Sequence, residues 1–391
     1  MSTPSISVVQ LGGHAGLPLL VCGPSLGTSA TSLWSATAAR LADTFHVVAW
    51  DLPGHGRSPA PVADFDMVAL AEGVLERVGR ILDERGEAGG TFAYAGDSVG
   101  GAVGLQLLLD HPERVRAATL LCTGAKIGEA QGWLDRADLV RTSGTPALVE
   151  SSAKRWFAPG FLDREPTVGA DLLHSLQSAD ARGYAGVCET LATFDVRDRL
   201  PEVKSPVLAV AGADDVATPT AGLREIADGV PDGRLVVLDR VAHLAPAEAP
   251  AEVARLIRDH EGAEHSPTRT EVRGDGMAVR RAVLGDAHVD RATATTTEFT
   301  RDFQEFITEY AWGSIWTRPG LDRRMRSAIT LTALVACGHH DELAMHVRAA
   351  RTNGLSDDEI KEILMQSAIY CGVPAANTAF RIAQATLAES P

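Results

Sequence analysis

Short apolar runs punctuate the chain up to about residue 260: LPLLVCG, HVVAWD, TFAYAGDS, RAATLLC, SPVLAVAG and GRLVVLD, alternating with stretches of helical spacing. Alternation of this kind predicts a mostly parallel sheet covered by helices on both faces. Between Ala125 and Leu200 the strand signal lapses. Helical patterns such as QGWLDRADLVRT and ALVESSAKRWF replace it, which predicts a helical cap over the sheet. Residues 261–276, EGAEHSPTRTEVRGDG, are polar, Gly/Pro-punctuated and aperiodic, the signature of a linker. Residues 277–391 look helical, with windows near 299–311, 322–337, 339–352, 356–371 and 375–388. Ser356 and Glu359 form a capping box just after the stop signal Asn353-Gly354. The expected organisation is an α/β domain over 1–260, with its cap at about 125–200, and a smaller all-α domain over 277–391. A length of 391 residues is ample for two cores.

Charge narrows the partners. The net charge is −15, and because residues from His265 on carry 14 basic and 16 acidic side chains, about −13 of it belongs to the part before them. Such a surface argues against nucleic acid, and an anionic substrate would have to be drawn in by locally placed arginines. The amino terminus has no basic segment leading into an apolar core, and no apolar run approaches the roughly 18 residues of a membrane span. Cys22, Cys122, Cys188, Cys337 and Cys371 are scattered without a C-x-x-C pair, so no disulfide framework or zinc site is expected and a reducing cytoplasm fits.

The clearest chemistry lies in Gly96-Asp97-Ser98-Val99-Gly100, entered by a β run and left by a helical one. A nucleophilic serine on a strained strand-to-helix turn needs glycine neighbours to avoid Cβ clashes, and Gly96 and Gly100 supply them. A hydroxyl also needs a base and an orienting acid later in the chain. Asp215, with Asp214 as the alternative, follows the strand SPVLAVAG, and His243 lies in the loop RVAHLAP after the next strand. The backbone N–H groups of Val99 and Leu26 are the candidates for an oxyanion hole. His55, in DLPGHGRS, is assigned a structural rather than catalytic role. The order Ser, Asp, His is that of an α/β-hydrolase.

The runs SLGTSATSLW, DLPGHGRSP, AGDSVGG, WLDRADLVRTSG, RWFAPGF and VAHLAPAEAP together resemble the 3-oxoadipate enol-lactonases over residues 5–260. The resemblance implies a cyclic enol ester carrying a carboxylate, with Arg136 and Trp156 as cap candidates for holding the carboxylate and packing the ring. Beyond 277, RRAVLGDAHVDRA, DFQEFITEYAWGSIWTRPGLDRRMRS and HHDELAMHVRAARTNGLSDDEIKEILMQSAIYCGVPAAN resemble the 4-carboxymuconolactone decarboxylases. That family is helical and cofactor-free, is usually assembled from several subunits, and shares a superfamily with alkylhydroperoxidase-like proteins, whose redox cysteine pair is missing here. A homo-oligomer through this domain is implied.

His339, Glu342 and His346, spaced by three and four, should share one helix face and suit acid–base and carboxylate chemistry. His346 is the candidate proton donor, with Glu342 orienting it or sharing the proton, and His339 is a candidate for binding substrate. Such spacing is compatible with a metal, but the decarboxylation needs none. Among the crowded Arg318, Arg323, Arg324 and Arg326, one or two are candidates for bidentate binding of substrate carboxylates. The two resemblances name consecutive steps of the β-ketoadipate route. The rival readings are a general carboxylesterase or haloperoxidase-like hydrolase joined to a peroxidase-like or purely oligomerising helical domain, and a non-catalytic ligand-binding relative.

Overall fold

The computed structural model describes residues 2–262, 269–318 and 320–388, which fall into two compact units, Met1–His265 and Ser266–Pro391. The first unit is built on strands β1 (Ser7–Gly12), β2 (Leu19–Gly23), β3 (His46–Asp51), β4 (Phe92–Asp97), β5 (Val115–Leu121), β6 (Val207–Gly212) and β7 (Gly233–Leu238). They form one sheet in the order β1-β3-β2-β4-β5-β6-β7. All neighbours are parallel except β1, which runs antiparallel to β3. Every residue of β2, β3, β4 and β6 is buried, which is why these segments read as continuous apolar runs. β1 is an edge strand with an exposed Gln10 and only partial burial elsewhere, so its sequence carries no comparable signal.

Between β5 and β6 the chain is helical, with helices Ala130–Ser143, Val149–Trp156, Phe161–Arg164, Pro166–Ser178 and Ala181–Thr193 forming the cap. Its two roots are tied together: Lys126 bridges Asp195 in antiparallel fashion, and the Val196 N–H donates to the Ala125 carbonyl at 2.9 Å. The cap therefore enters and leaves the sheet edge at one point.

The second unit consists of helices Arg269–Leu284, Asp286–Ala294, Glu298–Ile307, a π-helical turn Thr308–Trp316, and helices Arg323–Cys337, His340–Thr352, Asp357–Cys371 and Val373–Ala388. Leu331, Val335, Leu343, Val347, Ile360, Leu364 and Ala383 form its core. The Ser356–Glu359 capping box is present in both directions.

The stretch 261–276 differs from the linker expected of it. Residues 263–268 lie outside the described residues, and 269–276 are the first half of a helix. Gly276, which looks like punctuation in sequence, is a contact point. A Cβ there would sit 2.3 Å from the Thr308 carbonyl oxygen and 2.7 Å from the Gly313 nitrogen. In a free helix, alanine would be favoured over glycine by about 1 kcal/mol. Forcing backbone apart costs about 1–3 kcal/mol or more, so the clash prevails. Gly276→Ala is expected to lower the urea midpoint of the helical unit followed by circular dichroism; a raised midpoint would show that the helix propensity decides instead.

Candidate active site

Ser98 stands between β4 and helix Val99–Asp110 at φ 53° and ψ −118°, a conformation that L-residues avoid. Its surroundings impose it. The Ser98 N–H donates to the Leu121 carbonyl at 2.9 Å, and its own carbonyl accepts the Thr123 hydroxyl at 2.6 Å. The Gly100 N–H donates to the Pro24 carbonyl at 2.9 Å, and a Cβ on Gly100 would lie 2.5 Å from the Gly23 carbonyl carbon. Only glycine lets the helix start so close to the end of β2.

The turn aims Ser98 at His243. Ser98 Oγ lies 3.0 Å from His243 Nε2, and His243 Nδ1 lies 2.9 Å from Asp215 Oδ2. Asp215 also accepts the Thr218 hydroxyl at 2.6 Å and the N–H groups of Ala217 and Thr218 at 2.8 and 3.0 Å. Burial pushes its carboxyl up, but the His243 charge and these hydrogen bonds pull harder and hold it below the usual carboxylate range. Asp214, by contrast, is exposed, and its N–H donates to the Val241 carbonyl. Ser98, Asp215 and His243 are 7%, 5% and 5% exposed, so their mutual bonds are sheltered from water. The N–H groups of Leu26 and Val99 have no acceptor among the described residues, as donors waiting for an oxyanion must. His55 is buried elsewhere, its Nδ1 3.0 Å from the Pro53 carbonyl and its pKa pushed down to about 4 by burial.

Ser98 and His243 open into a pocket whose cap side holds Trp133, Arg136, Ser152, Arg155, Trp156 and Tyr184. Both expected cap residues are therefore at the pocket. Arg136 donates from Nε to the Tyr184 hydroxyl at 2.9 Å and from Nη2 to Ser152 Oγ at 3.4 Å. Trp156 packs edge-on against Phe157 at 6.3 Å.

Around the hydrolase pocket, three acidic or basic groups carry no signal in the sequence. Arg155 is one, with nothing in its helical pattern to set it apart from its neighbour Lys154. Asp97, just before Ser98, is fully buried with no hydrogen-bond partner among the described residues; burial, then Asp215 and Glu248, push its carboxyl far up. Glu248 is the third. It accepts the Ala158 N–H of the cap at 2.8 Å and the Ala242 N–H, next to His243, at 3.0 Å. The cap and the histidine loop thus share one carboxyl, and the His243 N–H donates to the Trp156 carbonyl at 3.1 Å beside it.

In the helical unit the structure corrects one expectation. His339 does not share a helix face with Glu342 and His346, because the helix starts at His340 and His339 caps it at φ −81° and ψ 74°. Glu342 is exposed in the first turn and His346 is half-buried. Burial pushes the His346 pKa down, Glu342 pulls it up and His288 pushes it down, with a net fall. None of the four clustered arginines is among the groups acting on it. Arg324 bonds the Gly354 carbonyl and Glu359, Arg326 donates to the carbonyls of Leu321 and Arg318, and Arg318 itself is exposed. Arg323 opens its helix, partly buried. Among the described residues the buried arginine of this unit is Arg280, 6% exposed, whose hydrogen-bond partners there are neutral oxygens, Thr308 Oγ1 at 3.2 Å and Gln304 Oε1 at 3.0 Å. Its field reaches His288. In sequence it is one of an ordinary Arg-Arg pair.

Among the described residues no group of three His, Cys, Asp or Glu side chains is placed to hold a metal ion, and no helix is long and apolar enough to cross a membrane.

Known proteins match the two units separately. Residues 18–250 match the alpha/beta hydrolase fold family and residues 301–385 the Carboxymuconolactone decarboxylase family. The chain is 37% identical to 3-oxoadipate enol-lactonase 2 of Acinetobacter baylyi over 61% of its own length and 86% of that protein. It is 46% identical to 4-carboxymuconolactone decarboxylase of the same organism over 28% of its length and 81% of that protein. Among solved structures, the enol-lactonase from Burkholderia xenovorans LB400 superposes with a TM-score of 0.61 at 30% identity, covering 66% of this chain and 96% of that one.

Glu248 makes the first unit sensitive to pH. Burial raises its carboxyl to about 7 against the pull of the Ala158 and Ala242 N–H groups. Unfolded, it ionises near the ordinary value of about 4.3. A raised acid favours the fold below the unfolded value, and that stability is lost as pH climbs through about 7. The unfolding free energy is expected to fall across that window and to fall less in Glu248→Gln; an identical slope in the variant would remove Glu248 as the cause.

Proposed function

Because the chain belongs to the alpha/beta hydrolase fold family over residues 18–250 and to the Carboxymuconolactone decarboxylase family over residues 301–385, we propose that it performs two consecutive reactions of the β-ketoadipate route. The helical unit decarboxylates 4-carboxymuconolactone, and the first unit hydrolyses the resulting enol-lactone to 3-oxoadipate. The observation that carries the reading is the Ser98–His243–Asp215 line of hydrogen bonds opening into a pocket with two arginines, on a chain that also holds a decarboxylase-family domain.

The decarboxylation supplies its own electron sink. The carboxylate sits on the γ carbon of an α,β-unsaturated lactone, so the electrons released with CO₂ pass through the double bond to the lactone carbonyl. The protein has to support that oxygen's charge and protonate the α carbon. We assign the proton to His346 with Glu342 beside it, while Arg280, whose field already disfavours charge on His288, supplies the positive potential. A lowered imidazole pKa makes His346 a better acid but leaves less of it protonated at neutral pH.

In the hydrolysis, Ser98 Oγ attacks the lactone carbonyl while His243 Nε2 takes its proton. Asp215 holds the imidazolium, and the N–H groups of Leu26 and Val99 receive the oxyanion. Collapse breaks the ring C–O bond and expels an enolate, which His243 protonates and which relaxes to the ketone. The acyl group stays on Ser98. Water, deprotonated by His243, then releases 3-oxoadipate. The five unpaired cysteines suit a reducing compartment, and we place the reactions in the cytoplasm.

The helical unit also reads as a self-associating one. Phe299, Phe303, Phe306 and Tyr310 recur at helical spacing and are 95%, 61%, 55% and 61% exposed, more apolar surface than a monomer ordinarily leaves in water. Light scattering of the intact chain is expected to give a multiple of 41.3 kDa; a single-chain mass would refute this.

Paired variants separate the two activities. Ser98→Ala is expected to cut enol-lactone hydrolysis on the order of 10⁵- to 10⁶-fold while CO₂ release persists. His346→Asn is expected to do the reverse. Loss of neither activity in either variant would defeat the assignment.

A further inference from the structure

The pocket above Ser98 holds two cations, and they are unequally engaged. Arg136, from helix Ala130–Ser143, has its Nε on the Tyr184 hydroxyl and its guanidinium centred 5.7 Å from the Tyr184 ring centroid, so much of its hydrogen-bonding and stacking capacity is used within the cap. Arg155, from helix Val149–Trp156, lines the same pocket, and its guanidinium has no hydrogen bond or ion pair among the described residues. The contrast with other cap cations is informative. Lys154 pairs with Glu150 at 2.7 Å, Arg141 with Glu189 at 2.6 Å and Lys126 with Glu129 at 2.9 Å.

Arg155 is itself exposed, yet it lines the pocket beside a second arginine, in a unit with a large excess of acidic residues. Partial burial first, and then the like charge of Arg136, push its pKa down against the weaker pull of Tyr184 and Asp215, and an incoming anion would offset that cost. The planar fork of a guanidinium matches the two oxygens of a carboxylate.

We propose that Arg155 is the specificity-determining contact of the hydrolase pocket, binding the carboxylate of the substrate in bidentate fashion while Arg136, anchored on Tyr184, adds field from behind. The inference rests on the hydrolase reading above and narrows it. The substrate class is an ester or lactone that carries a free carboxylate a few bonds from the carbonyl Ser98 attacks. Trp156, the residue after Arg155, closes the adjoining wall, so recognition of the charge and packing of the ring come from one helix end.

The test uses the intact chain and two substrates, the carboxylated enol-lactone and the neutral p-nitrophenyl acetate, with adipate as an inhibitor of the second. For Arg155→Gln, the ratio of kcat/KM on the lactone to kcat/KM on the neutral ester is expected to fall on the order of 10- to 100-fold, the worth of one charge-assisted bond. Most of the fall should be in KM. The inhibition constant of adipate should rise by a similar factor, and Arg155→Lys should recover part of both. An unchanged ratio and an unchanged adipate constant would overturn the proposal, as would equal losses on both substrates. A wild-type chain that fails to open the lactone would refute the proposed function instead. In that case adipate inhibition of the neutral reaction still decides the role of Arg155.

Discussion

The hydrolase site depends on holding one residue, Ser98, where its backbone does not want to be. A φ of 53° on a residue with a Cβ costs on the order of 1–3 kcal/mol, and the surrounding sheet supplies it through bonds that are each useful elsewhere. The Gly100 N–H that pins the helix start does so on the Pro24 carbonyl, two residues before Leu26. The same contact that strains the serine therefore sets the loop that carries the unengaged Leu26 N–H. The Leu121 carbonyl, which accepts from Ser98, is the last residue of β5, just before the chain departs for the cap. Nucleophile, oxyanion donors and cap root all hang on adjacent strand ends.

Electrostatics complete what the strain begins. Three carboxyls lie around His243, and their environments push them apart. Asp215 is held low by His243 and Thr218, whereas Glu248 is pushed up by burial and Asp97 by burial and then by the charges of Asp215 and Glu248. Of the three, Asp215, which orients the imidazole, is the one whose ionised form its surroundings favour. On the opposite side of the pocket the sign reverses, with Arg136 and Arg155 facing outward from the cap. An acidic unit with a small positive chamber attracts an anionic lactone only at the place where it reacts.

How much of this was legible in the sequence varies with the kind of constraint. The four fully buried parallel strands announce themselves as apolar runs, and β5 and the half-wet edge strand β7 keep enough apolar residues to be readable; β1, the antiparallel edge, was not. The elbow was readable because glycine is the only residue that fits it. A close approach also misled: Gly274 and Gly276 look like linker punctuation, yet Gly276 is required where a helix meets the π turn. Glu248 and Arg155 were invisible because their meaning lies in a cap partner 90 residues away or in the lack of a partner. Arg280 was hidden because its partners Thr308 and Gln304 stand on a later helix and the π turn, while Arg324 drew attention through crowding and proved to be tied to a helix end and Glu359. Spacing placed His339 with Glu342 and His346, but a helix boundary one residue later separates them.

The central claim is that one polypeptide carries 4-carboxymuconolactone through both steps. The direct measurement is to supply that lactone to the intact chain and follow CO₂ and 3-oxoadipate together. The account predicts equal final amounts, with 3-oxoadipate appearing after a short lag. CO₂ accompanied by an enol-lactone that accumulates and is never opened enzymatically would contradict it, as would the formation of neither product.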